Sequence, residues 1–173
     1  MSESVVNHVV VPGTFDPVTF GHMDVIGRAR HLFSHVTVGV AASTGKNGVG
    51  TIFSPEERVS MLRDALDQAG ASDVDVKTFS GLLVDFCREV GASGVVKGLR
   101  AMTDFEYELQ QAGLNSKMAP GLESIFVMSS TKYGYVSSSI VRELASLGAD
   151  VSFLVPPNVA RRLAEHFSVH KLD

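Results

Sequence analysis

The residues with the clearest chemical use follow the first apolar run of the chain. Pro12-Gly13-Thr14-Phe15-Asp16-Pro17 is followed closely by Gly21-His22. A glycine at a helix start lets a phosphate approach the backbone, and His22 would present a donor at the positive end of the helix dipole. An imidazole there can neutralise charge that develops on a transferring phosphoryl group or on its leaving group. The plainer reading, in which His22 caps the helix or packs in the core, stays open for a single histidine. Further candidates recur downstream: Ser43 to Lys46, Ser80-Gly81-Leu82-Leu83, Lys97-Gly98-Leu99-Arg100, and the stretch from Lys132 through Tyr133, Gly134, Tyr135, Val136, Ser137, Ser138 and Ser139. Glycines, cations and serine-led helix starts suit a multiply charged phosphate ligand. The three serines would serve equally as a plain helix cap. Gly13 and Gly21 do not make the G-x-G-x-x-G turn of dinucleotide-binding folds, and Gly45-Lys46 does not sit in a P-loop frame.

These residues need elements to carry them. An apolar run over residues 8–12 predicts a buried strand, and a helical period follows from His22. Val25, Ala29 and Leu32 lie on its expected core face, with Ile26 and Phe33 beside them. Residues 36–42 predict a second strand, making a βαβ opening. Ser54-Pro55-Glu56-Glu57 carries an N-cap, a proline at the first helical position and a capping-box glutamate for a helix to about Ala69. Further strands are expected at 74–79, at 94–96 and at 124–128. Helices are expected from Leu82 to about Gly91, from a Thr103–Glu106 capping box to about Lys117, from Ser137–Ser139 to about Gly148, and from Pro156-Pro157 to about Phe167. Strands alternating with helices predict a single α/β domain, a doubly wound five-stranded parallel sheet, with short flexible termini at about 1–5 and 168–173. Ligands of such a sheet bind beyond the carboxyl ends of its strands, and each candidate above follows one.

The bulk properties narrow the classes. The chain has 173 residues, is 45% hydrophobic and 20% charged, and carries a formal charge of −4, which argues against a nucleic-acid binder needing a basic face. One cysteine, Cys87 in an apolar segment, rules out an internal disulfide and reads as a buried small hydrophobe. The start lacks a signal-peptide pattern and no apolar run reaches membrane-spanning length, so a cytoplasmic chain with no membrane partner is expected. His8, His31, His35, His166 and His170 lack partners at metal-ligand spacing and read as structural or surface residues.

Thr19-Phe20-Gly21-His22 resembles the H/T-x-G-H signature of the nucleotidyltransferase superfamily. The chain from about Val9 to Phe167 further resembles the bacterial phosphopantetheine adenylyltransferases. It does so at Pro12 to Pro17, Lys97-Gly98-Leu99-Arg100, Asp104-Phe105-Glu106-Tyr107-Glu108 and Val136-Ser137-Ser138-Ser139, in that order. The resemblance implies a Rossmann-like nucleotidyltransferase fold, transfer of AMP from ATP to 4′-phosphopantetheine with Mg²⁺, and a homohexamer. It implies His22 as transition-state stabiliser, with Lys46 and Arg100 on the reacting phosphates. It places Thr14, Phe15, His22, Gly98, Leu99, Arg100, Glu108 and the residues Tyr133, Gly134, Tyr135, Val136, Ser137, Ser138 and Ser139 at ATP. Thr14, Lys46, Leu83 and Lys97 fall at the phosphopantetheine, with no side chain implied as a direct metal ligand. Lys97 stands where many members carry arginine, and the stretch 47–53 is longer than in typical members. Leu83 as plain core, Lys46 as a solvated loop lysine and Glu108 as an exposed helix carboxylate are the alternatives on the residues alone. Two other functions compete: the same fold with another acceptor (an alcohol phosphate with CTP, or nicotinamide mononucleotide), and a non-catalytic nucleotide sensor.

Overall fold

The computed structural model describes residues 5–42, 50–100 and 102–169, with the side chains of 102–104 and 169 outside the description. Five strands form one sheet: β1 (His8–Gly13), β2 (His35–Ala41), β3 (Asp75–Phe79), β4 (Gly94–Leu99) and β5 (Glu123–Met128). All pairings are parallel and the order is β3-β2-β1-β4-β5. Six helices connect and cover the strands: α1 (Phe20–Leu32), α2 (Pro55–Gln68), α3 (Leu83–Val90), α4 (Met102–Met118), α5 (Ser138–Ser146) and α6 (Pro157–Val169).

The chain moves outward from β1 through β2 to β3, then returns across the sheet to β4 and β5. Right-handed crossovers in opposite directions put their helices on opposite faces. Alternation along the strands agrees. Val9 and Val11 of β1 and Val96 of β4 join a core shared with α1, α2, α5 and α6, whereas Val10 and Val95 face a smaller cluster with Phe86 and Cys87 of α3. The strand order reverses between β1 and β4, and the crevice at their carboxyl ends is the place such a sheet offers a ligand.

Local signals set most boundaries as expected. Ser54 caps α2 in a capping box with Glu57, and Gly91 ends α3 in the left-handed conformation. Four readings change. Helix α1 starts at Phe20, with Thr19 as its cap, rather than at His22. Leu32, expected on the core face, is 64% exposed, because α1 ends there and the chain turns toward β2 at Phe33. Strand β4 runs through Lys97 and Gly98 to Leu99, paired throughout with β5, where a short strand and a loop were expected. Ser168 and Val169 belong to α6 rather than to a tail, with the Ser168 hydroxyl donating to the Ala164 carbonyl. The Thr103 capping box falls on side chains outside the described residues.

Gly98 explains how β4 approaches α1. A Cβ on Gly98 would lie 2.5 Å from Val25 Cγ2, closer than packing permits. Gly98→Ala should therefore destabilise the fold by about 2 kcal/mol, read as a lower chemical-denaturation midpoint. Val25→Ala in the same chain should recover most of the loss. Additive destabilisation by the two changes would refute the clash.

Candidate active site

A cleft of about 360 Å³ opens where the ends of β1 and β4 meet. It is lined by Thr14, Phe15, Thr19, Gly21, His22, Lys97, Gly98, Arg100, Glu108 and Ser137 to Ser139, with Ser129 and Val25 at its wall. The sheet thus gathers into one place residues that the sequence separates by more than a hundred positions.

His22 is the third residue of α1, and its ring completes the helix cap. The Thr19 N–H donates to His22 Nδ1 at 3.0 Å, and the His22 N–H donates to Thr19 Oγ1 at 3.3 Å. An Nδ1 that accepts from a backbone N–H carries no proton, so a neutral ring holds its proton on Nε2. Burial, then Arg100, then Lys97 lower the imidazole from 6.5 to about 4, which keeps it neutral at pH 7. Phe15 packs edge-on against the ring at 4.9 Å between centroids. The two sequence readings of His22 are therefore compatible: it caps α1 through Nδ1 and keeps Nε2–H as a fixed donor at the cleft.

Gly21 has a different meaning from Gly98. A Cβ at Gly21 would meet only Thr19 Oγ1 at 3.5 Å and Tyr133 atoms at 3.9 Å, ordinary contact distances. Its φ lies outside the left-handed region. Packing does not demand a glycine there, so its use is the bare helix N-terminus left beside the cleft.

Both cations lining the cleft come from the carboxyl end of β4. Lys97 Nζ lies 3.3 Å from Glu108 Oε1 of α4, a partly exposed pair at the rim. Arg100 donates from Nη1 to the Val136 carbonyl at 2.7 Å, which ties the end of β4 to the start of α5. The three serines have separate duties. Ser137 Oγ caps α5 by accepting the Ile140 N–H, Ser138 Oγ donates to the Pro17 carbonyl at 2.8 Å, and Ser139 Oγ accepts from Arg142 Nη2 at 3.4 Å. Ser138 spends its O–H on the protein, while Ser137 and Ser139 only accept and keep their O–H groups, so α5 can offer a phosphate these hydroxyls and the backbone N–H groups of its first turn.

Several residues lie elsewhere than at this cleft. Leu83 starts α3 and packs with the smaller apolar cluster. Leu99 pairs with Met128 in the sheet. Tyr133 packs on Phe20, Gly134 follows in the same turn, and Tyr135 is 66% exposed, so this segment flanks the cleft rather than lining it. Lys46 lies outside the described residues. His8 and His35 stack at 3.9 Å at the amino ends of β1 and β2, opposite the cleft. Burial pushes the Cys87 thiol up to about 11, which leaves it a poor nucleophile.

Sequence reasoning missed Arg58 and Arg142 as members of the site's support, and named Asp16 only as part of the loop, without its supporting role. Asp16 is buried, and its carboxylate accepts the N–H groups of Ile52 at 2.9 Å and Phe53 at 3.1 Å. Arg58, wholly buried, donates to the carbonyls of Thr14, Ala41 and Phe53. An arginine within the Glu-Glu-Arg run of a helix reads as surface charge, and only packing reveals its inward fork.

A cytidylyltransferase-like family model matches residues 10–144, so the fold and site belong to the nucleotidyltransferase class. The chain is 50% identical over 158 residues to a phosphopantetheine adenylyltransferase of Moorella thermoacetica, covering 91% of this chain and 96% of that one. It is 46% identical to the enzyme of the same name from Hahella chejuensis, covering 95% and 99%. The chain belongs to the phosphopantetheine adenylyltransferase family. Solved structures extend the likeness in fold alone. A bifunctional NMN adenylyltransferase/ADP ribose pyrophosphatase from Francisella tularensis has a TM-score of 0.72 at 16% identity, covering 95% of this chain and 50% of that one. A putative nicotinate-nucleotide adenylyltransferase from Vibrio parahaemolyticus has a TM-score of 0.67 at 16% identity, covering 92% and 91%.

Proposed function

We infer that this chain transfers AMP from ATP to 4′-phosphopantetheine, giving dephospho-coenzyme A and pyrophosphate. The observation that carries the chemistry is the neutral His22 donor set beside Lys97, Arg100 and the first turn of α5 in one cleft. The family relationship carries the choice of acceptor. A phosphate oxygen of 4′-phosphopantetheine attacks the α-phosphorus of ATP, the bond to the β-phosphate oxygen breaks, and pyrophosphate departs. The attacking group is already an anion, so positioning and charge stabilisation suffice and no general base is needed. His22 Nε2–H stabilises charge on the α-phosphoryl oxygens, and Arg100 binds the polyphosphate. Thr14 and Lys97 hold the phosphate of the acceptor, and Lys46, by family resemblance, is assigned to the reacting phosphates as well.

Among the described residues no cluster of His, Cys, Asp and Glu side chains could hold a metal. Glu108, the carboxylate lining the cleft, pairs with Lys97. Mg²⁺ is proposed to enter with the substrate, bound by the phosphates of ATP.

A homohexamer is part of the same reading. None of the described side chains of α4 is buried, and Tyr107, Leu109, Leu114 and Met118 stand exposed along it, with Met128 on the edge strand β5. Such a surface suits association between copies. A monomer by light scattering at micromolar concentration would refute it. Among the described residues no helix is long and apolar enough to cross a membrane, and we place the enzyme in the cytoplasm. The deciding assay combines ATP, 4′-phosphopantetheine and Mg²⁺, with product mass measured. CTP or nicotinamide mononucleotide turned over in place of these substrates would overturn the assignment. ATP binding without pyrophosphate release would favour a sensor.

A further inference from the structure

Phe15 has a left-handed backbone, with φ of +53°, and among the described residues it is the only one other than glycine to do so. An L side chain there crowds the neighbouring carbonyl, so the surroundings must impose the conformation. Two arginines from different helices hold the carbonyls on either side of it. Arg58 of α2 donates from Nη1 to the Thr14 carbonyl at 2.7 Å, and Arg142 of α5 donates from Nη1 to the Asp16 carbonyl at 2.6 Å. The Asp16 carboxylate, clasped by the Ile52 and Phe53 N–H groups, fixes the chain just beyond.

The peptide plane carries the consequence. A trans peptide sets its N–H opposite its C=O. The Thr14 carbonyl is turned inward to the buried Arg58, so the Phe15 N–H points the other way. That N–H has no acceptor among the described residues, while Thr14 and Phe15 both line the cleft.

We propose that Arg58 and Arg142 are positioning residues, which hold Phe15 in the left-handed turn that presents its N–H to a phosphate oxygen of the bound nucleotide. This rests on the reading of the cleft as a nucleoside triphosphate site. Arg58 touches no ligand, since none of its surface is exposed. It acts through Thr14 and Phe15, with its remaining donors tying the same loop to the end of β2.

The test compares wild type with Arg58→Lys and Arg142→Ala. Folding is checked by circular dichroism, ATP affinity and turnover are measured, and exchange of the Phe15 amide is followed with and without ATP. In wild type, ATP slows that exchange. In both variants the slowing is lost and kcat/KM per folded molecule falls about 10- to 100-fold, the usual cost of misplacing a binding group. Arg142 is partly exposed, its side chain at 33%, so Arg142→Ala carries the test if Arg58→Lys fails to fold. A folded Arg142→Ala with wild-type kcat/KM, or with the Phe15 amide still protected by ATP, overturns the proposal. Wild type that binds ATP without protecting the Phe15 amide overturns it as well. Wild type that binds no ATP refutes instead the reading of the cleft.

Discussion

His22→Ala should lower kcat by about 10²- to 10³-fold, the cost of removing one preorganised donor from developing charge. The affinity for ATP should change by less than about tenfold, because the contact strengthens only as the α-phosphoryl group acquires charge. Part of the change is structural. The Thr19 N–H loses its Nδ1 acceptor and Phe15 loses its ring partner, for about 1 kcal/mol of stability. Kinetics are therefore compared on protein shown to be folded. Equal losses in kcat and in ATP affinity would make His22 a ground-state binder.

The lowered imidazole value adds a pH signature. Between about 6.5 and about 4, the unfolded chain takes up a proton at this site that the folded chain does not. Wild type should thus lose stability relative to His22→Gln as pH falls through that window, and the gap should be constant above it. Denaturant midpoints at pH 7.5, 6 and 5 measure the difference. A gap that opens only above pH 7 would mean that the ring is charged in the folded protein.

Arg100→Ala should cost about 100-fold in kcat/KM for ATP, in both KM and kcat, consistent with losing a charge-assisted hydrogen bond. The guanidinium donates from Nη1 to the Val136 carbonyl while lining the cleft, a planar fork that can serve two directions at once. Lysine cannot fill both positions at once, so Arg100→Lys should recover no more than about tenfold. A second readout is independent of catalysis. Because Arg100 helps hold His22 below its ordinary value, the His22 titration followed by NMR should move upward in Arg100→Ala. An unchanged KM for ATP together with an unmoved titration would remove Arg100 from the site.

Much of this was legible in the residues because local chemistry carried it. Period and capping signals placed α2, α3 and the β1-α1-β2 opening, and the glycine and proline punctuation placed the turns. Where local chemistry was silent, the expectation drifted. Lys97-Gly98-Leu99 reads as a loop for its glycine, yet pairing with β5 holds it as strand. Leu32 fits the apolar period, yet it stands at the last turn of α1, where no element covers it. The serine run reads both as a phosphate ligand and as a helix cap, and the structure gives Ser137 the cap and ties Ser138 to Pro17 while all three line the cleft.

By itself, the sequence determined that Gly21-His22 would open a helix after a strand, that cations would follow other strands, and that the chain belongs among nucleotidyltransferases. The first two follow from contacts among neighbours a few residues apart, and the third from the likeness of whole motifs to a known family. The tertiary structure alone decided that β1 and β4 lie side by side, so that His22 meets Lys97, Arg100 and the start of α5, while Leu83 is left on the smaller core. It alone turned Arg58 inward to hold Thr14. Strand order and the direction of a buried side chain depend on which distant surfaces pack together, and no short window of residues contains that choice.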